Sequence, residues 1–255
     1  MAECWDNMAR NSVVPERIRP PMNMGDVLLK ITCLPVRVTI GGTRTFGLYS
    51  AMSWIKQKLA IAYRKAGVAV LNYQGRRALD RLGYLSLFDG RPADAKPPVW
   101  SDLWAIYSQV RARKPKVLLE FGSGCSTIIY AQALADNEAE GAPGFLHSLD
   151  ADSHWGQVTI DSMPDHLRQY CDITLTERVE GMLGDVPVWR FAQVPDVVPD
   201  MIYLDGPALT PERRAAIDVL DMEDRFPPGF RLLVDGRSFN RALLEKHFKR
   251  RYDRH

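Results

Sequence analysis

The residues of this chain most able to do chemistry are carboxylates at the ends of short apolar runs. In "PKVLLEFGSGCSTIIYAQAL", Pro115 to Leu134, the run "KVLLEF" carries Glu120 near its end and feeds the turn Gly122-Ser123-Gly124, after which an apolar-periodic segment begins. Asp150 ends "GFLHSLD", Asp205 ends "PDMIYLD" and Asp235 ends "GFRLLVD". A glycine turn between a strand and a helix lets a ligand approach the backbone, and the free amides of the helix start supply donors. Dinucleotide binding asks for G-x-G-x-x-G, but Cys125, Ser126 and Thr127 follow Gly124 and the third glycine is absent. Glu120 would repel a pyrophosphate and attract a cation or a hydroxyl donor. The turn therefore suits a ligand with a positively charged amino-acid head and no phosphate.

These residues need a frame that gathers strand ends, and the pattern from residue 99 onward supplies one. "SDLWAIYSQVRARK" is helical, with Leu103, Ile106, Tyr107 and Val110 on one side. Then follow a strand at "KVLLEF", a helix at "STIIYAQALADNEAE", a strand at "GFLHSLD" and a helical stretch over "DSHWGQVTIDSMPDHLRQY". "CDITLTERV" and "VPVWRF" alternate as strands, and "PDMIYLD" and "GFRLLVD" are buried strands. "TPERRAAIDVLDMEDRF" is expected to be a helix, with "NRALLEKHF" the last one. Strands alternating with helices predict an α/β fold with a mainly parallel sheet covered on both faces. In such a sheet, ligands bind beyond the carboxyl ends of the strands.

At these positions the sequence resembles the class I S-adenosylmethionine-dependent methyltransferases, whose first motif is E/D-x-G-x-G-x-G. Here it reads "EFGSGCS", with Ser126 in the last glycine position, as in relatives of the catechol O-methyltransferase type. Asp150 in "LHSLD" matches the acid that binds the ribose hydroxyls, and "DMIYLDGP" and "GFRLLVDGR" are similar to the fourth and fifth strands of that fold. The resemblance covers Val99 to Phe248 and implies a Rossmann-like domain over 99–255, preceded by an extension over 1–98. It also implies S-adenosyl-L-methionine held by Glu120, Phe121, Gly122, Ser123, Gly124, Ser126, Thr127, Asp150, Ala151 and Asp205. The expected reaction is methyl transfer to an oxygen, in preference to a nitrogen, of a small molecule or sugar.

Asp205 and Asp235 fall where the catechol-type enzymes place two metal-binding carboxylates, which would suit a divalent ion. The family's following Asn is Gly236 here, however, and its base lysine is replaced by Ala208. A metal is therefore not favoured, and the resemblance leaves Asp205, then Asp235, as the catalytic base. The family's closing antiparallel hairpin is expected to be incomplete, since "KRRYDRH" alone follows Phe248, and an open sheet edge would favour pairing with a second copy. These departures keep open an alternative: a non-catalytic S-adenosylmethionine-binding or scaffold protein with the same fold.

Other side chains carry two readings each. Trp100, Trp104 and Tyr107 form an apolar lip over the acceptor or pack in the core. Trp155 flanks the adenine or is core. Arg237 and Asn240 orient an acceptor or lie at the surface. Cys125 lines the loop or, at a helix start, is a reactive thiolate. Cys4, Cys33, Cys125 and Cys171 form no CxxC pair and the histidines no HxxxH spacing, so the pattern suggests neither a zinc knuckle nor a disulfide framework.

Charge divides the chain. Residues 1–99 hold 15 Lys/Arg against 7 Asp/Glu, and 100–255 hold 18 against 24. The acidic balance of the second part argues against nucleic acid as partner. In the first part, an arm over 1–26 precedes a hairpin over "LPVRVTIGGTRTFGLY", and a basic helical stretch over 51–87 follows, with Ile55, Leu59, Ala62, Ala66, Ala69 and Tyr73 on one face. That face suits an anionic membrane surface, the protein's own core or a second subunit. "DGRPADAKPP" reads as a linker. No apolar run reaches the ~18 residues of a membrane span, and the start lacks a signal peptide's apolar core, so a cytoplasmic protein, membrane-associated at most, is expected.

Overall fold

A computed structural model of the chain describes residues 65–207 and 214–253. The arm over 1–26, the hairpin around Gly41 and Gly42, the upper part of the basic stretch with Ile55, Leu59 and Ala62, and Ala208 lie outside the described residues. In chain order come α1 (65–81), a 3-10 turn at Tyr84–Phe88, α2 (Trp100–Arg113), β1 (Val117–Phe121), α3 (Cys125–Ala139), β2 (Phe145–Asp150) and α4 (Ser153–Ser162). They are followed by β3 (Cys171–Leu175), β4 (Arg178–Leu183), β5 (Val186–Phe191), β6 (Met201–Leu204), β7 (Ala215–Ala216), α5 (Asp218–Asp221), β8 (Arg231–Val234) and α6 (Ser238–His247).

Five strands form an all-parallel sheet in the order β3-β2-β1-β6-β8. The chain steps outward from β1 to β3 and then returns to the other side of β1, so the order switches between β1 and β6. Alternation along each strand builds two cores. Leu118, Leu146, Met201 and Tyr203 join Ile106, Val110, Ile129 and Leu134 of α2 and α3 on one face. On the other face Leu119, Leu149, Ile202 and Leu204 join Phe191, Val219, Met222 and Leu244. Because both faces are covered, β1 and β6 read in the sequence as continuous apolar runs. The α/β expectation of a parallel sheet flanked by helices holds. Among the described residues no strand pairs with the outer edge of β8.

Four expectations about elements are corrected. "CDITLTERV" is not one strand: β3 stays in the parallel sheet, whereas β4 turns away to pair antiparallel with β5 in a second, three-stranded sheet. The helix expected over "TPERRAAIDVLDMEDRF" is broken where it is described. Ala215 and Ala216 are fully buried and pair with Val188 and Trp189, because small side chains let that backbone approach β5, and tertiary pairing outweighs alanine's helix propensity. Asp218 then accepts the Phe191 amide at 2.8 Å.

The third correction is the phase of α1. Ala69 and Tyr73 are exposed, and the packed face is Asn72, Gly75 and Leu79. A Cβ on Gly75 would lie 2.3 Å from the Trp100 carbonyl oxygen, so glycine is needed where α1 crosses the start of α2. Asn72 caps that start by accepting the Ser101 amide. Fourth, the expected linker "DGRPADAKPP" is packed and turned: Ala95 is buried, and the Arg91 and Ala95 amides donate to the Phe88 and Pro92 carbonyls. Leu79 and Phe88 belong to the first core, so the expected boundary at 98 falls inside a unit that spans Val68–Tyr252. No helix among the described residues is long and apolar enough to cross a membrane.

Candidate functional site

The carboxyl ends of β1, β2, β6 and β8 bring together the loop Gly122–Gly124, Asp150, Asp205 and Asp235. Gly122 has φ +98°, and a Cβ there would sit 2.6 Å from the Gly206 amide nitrogen. Both features demand glycine, and the close approach locks the β1 loop to the β6 loop. The amides of Asp205 and Gly206 donate to the Phe121 carbonyl across the same seam. Gly124 differs: its backbone is extended, and a Cβ there would meet open space. The first glycine serves packing, whereas the second borders free volume at the start of α3.

Glu120 shares the face of β1 that α3 covers, and its side chain is fully buried. The Thr127 and Ser148 hydroxyls each donate to its Oε2 at 2.6 Å, while Oε1 has no partner. Thr127 in turn accepts the Gly124 amide at 2.9 Å, so one chain of hydrogen bonds ties the loop to the strand. Burial pushes the Glu120 carboxyl up to about 7, opposed by its hydroxyl donors. A cation or donor brought to Oε1 would satisfy it.

Asp150 lies at the end of β2 on the same face. Its Oδ2 accepts the Ser123 amide at 2.9 Å and the Ser123 hydroxyl at 2.6 Å, and its Oδ1 accepts the Asp152 amide. The carboxylate thus already holds the glycine turn. Asp152 caps α4, and Trp155 in its first turn is 37% exposed and not in the core. Ser126 is buried at the start of α3. Ala151 packs against the second core. Phe121 points into that core against Phe191, with ring centroids 5.3 Å apart, so only its backbone faces the loops.

Asp205 and Asp235 follow β6 and β8, adjacent parallel strands. Burial and then the Asp235 charge push the Asp205 carboxyl up to about 7, and Arg237 opposes both. The Arg237 guanidinium lies 3.5 Å from Asp205 Oδ1 and donates to the backbone carbonyls of Asp205 and Pro207, the latter at 2.7 Å. Arg237 is therefore not a surface group: it is a clamp that supplies positive charge beside the carboxylate pair. Asn240, buried with its amide on the Ala216 carbonyl, cannot reach an acceptor. Among the described residues no group of three or more His, Cys, Asp or Glu is arranged to hold a metal ion.

Of the aromatic lip, Tyr107 is core, with its hydroxyl on Asp136 at 2.7 Å. Trp104 stacks on Tyr107 and Trp100 packs edge-on against Phe88, both half-buried. Burial pushes the Cys125 thiol up, against the pull of Arg91, so a helix-start thiolate is disfavoured. Sequence reasoning missed Ser148, whose position two residues before Asp150 on an alternating strand puts it on the same face. It also missed Gly206, which only the cross-loop approach makes necessary. Neither a protein-family model nor a curated protein matches the chain.

Proposed function

We propose that this chain is a methyltransferase that uses S-adenosyl-L-methionine to methylate an oxygen, in preference to a nitrogen, of a small molecule or sugar. The observation that carries the reading is the convergence of Glu120, the open Gly124 turn, Asp150 and Asp205 at the switch point of a parallel sheet ordered β3-β2-β1-β6-β8. Ligands of such sheets bind at that place. The donor set suits the cofactor: a buried carboxylate with an unpartnered oxygen for a cationic head, an acid for vicinal hydroxyls, and no third glycine for a pyrophosphate.

Bound there, S-adenosyl-L-methionine supplies a methyl group already activated by its sulfonium. The protein's part is placement and proton transfer. Asp150 exchanges its Ser123 contacts for ribose hydroxyls, and the amides of Ser123 and Gly124 line the approach. Asp205 would take the proton of the acceptor hydroxyl as that oxygen bonds the methyl carbon, the carbon–sulfur bond breaking so that S-adenosylhomocysteine leaves. A carboxyl raised to about 7 is poised for this at neutral pH. Arg237 fixes the carboxylate's position, and Asp235 keeps its basicity high.

The test is isothermal titration of the full chain with S-adenosylhomocysteine, with NAD as control. Micromolar binding of the first alone is expected, and binding of NAD instead, or of neither, would overturn the reading. Turnover on an acceptor panel then separates the enzyme from a scaffold that binds without chemistry.

A further inference from the structure

The segment between α1 and α2 holds a cavity of ≈ 220 Å³, lined by Phe88, Arg91, Ala95, Lys96, Pro97 and Pro98. It is built to keep its shape. Phe88 is buried against Trp100, and the amides of Arg91 and Ala95 close turns onto the carbonyls of Phe88 and Pro92. Inside this frame, Nε and Nη1 of Arg91 are shielded from solvent and have no hydrogen-bond partner. No carboxylate among the described residues pairs with Arg91, although Asp89 and Asp94 are in the same segment. Buried donors left unpaired are costly, more so when charged, so a small shift of this guanidinium toward an oxyanion in the cavity would relieve that cost. Lys96 lines the same cavity, exposed and without an ion pair among the described residues. Both cations lie within electrostatic reach of the strand-end crevice, Arg91 acting on Cys125 at the start of α3 and Lys96 on Asp205.

We propose that Arg91 and Lys96 form an oxyanion subsite that binds a phosphate or carboxylate group of the methyl acceptor. The proposal rests on the methyltransferase reading and narrows its acceptor to an anionic small molecule whose hydroxyl reaches Asp205. A guanidinium is the side chain best matched to a planar or tetrahedral oxyanion, with the ammonium adding charge beside it. The same cations offset the charge of Asp205 and Asp235, which would otherwise repel such an acceptor.

The experiment titrates the full chain with inorganic phosphate, with acetate and, separately, with S-adenosylhomocysteine, for the wild type, R91A, R91K and K96A. Expected is phosphate or acetate binding that weakens more than about tenfold in R91A, and less in K96A, with S-adenosylhomocysteine affinity unchanged within about twofold. Should R91A not fold, R91K keeps the charge and stem, and the expected result is oxyanion binding weaker than wild type, since the ammonium lacks the fork. Equal oxyanion binding by wild type and Arg91 variants, or none by the wild type, overturns the subsite even if S-adenosylhomocysteine binds. A parallel fall in S-adenosylhomocysteine affinity also overturns it, because Arg91 would then serve the donor. Arg91-dependent phosphate binding in a protein that ignores S-adenosylhomocysteine keeps the oxyanion site and overturns the methyltransferase reading.

Discussion

Replacing Glu120 by glutamine should change how stability depends on pH more than it changes stability itself. The carboxyl has an ordinary value of 4.5 and is raised to about 7 by complete burial, so the folded protein prefers the neutral form. For an acid whose folded value is raised, the stabilising contribution is fully present below 4.5 and is lost as pH rises through 7. At about 1.4 kcal/mol per pH unit, the total loss is ~3 kcal/mol, of which ~2.5 kcal/mol falls between about pH 5 and about pH 8. Glutamine does not titrate and escapes this loss. It keeps an acceptor for Thr127 and Ser148 but sets an amide where Oε1 has no partner, a penalty nearly constant with pH. Urea unfolding of wild type and E120Q at several pH values isolates the titrating part, because the constant penalty cancels in the difference. The difference in unfolding free energy should move in the variant's favour by ~2.5 kcal/mol from the lower pH to the higher. Parallel curves would refute the reasoning, since Glu120 would then be ionised at no cost through a counter-charge absent from its surroundings.

Three further predictions follow from neighbouring residues. G122A should lose about 2–4 kcal/mol, from positive φ and the clash with Gly206, whereas G124A should fold within about 1 kcal/mol of wild type yet bind S-adenosylhomocysteine more than about tenfold more weakly. Thermal unfolding and titration of both variants check this, and equal destabilisation would count against it. D235N removes a charge that raises Asp205, so the acidic limb of the pH–rate profile should move to lower pH; R237A removes the opposing charge and should move it higher. Shifts in one direction for both would exclude Asp205 as the base. D150N should weaken S-adenosylhomocysteine about 10–100-fold, and it should also loosen the turn, read as faster amide exchange at Ser123.

The fold was legible because β1, β2, β6 and β8 are short apolar runs, each ending in an acid or glycine, and a run buried on both faces announces itself without reference to any partner. The same local signal located Glu120, Gly122, Gly124, Asp150, Asp205 and Asp235 at strand ends, where the topology gathers ligands. Elements whose state is set by a distant partner were not legible in this way. Ala215 and Ala216 pair with β5 against their own helix propensity, β4 leaves the main sheet within two residues of β3, and α1 turns its glycine face inward because the Trp100 backbone lies there. Roles within the site divide similarly. The sequence determined which chemical groups stand at the crevice. Tertiary structure decided that Glu120 is buried and near neutral, that Asp150 holds Ser123, that Arg237 clamps Asp205 and that Nε and Nη1 of Arg91 are buried without a hydrogen-bond partner. Burial and charge are sums over residues brought from tens of positions away, so no local pattern carries them.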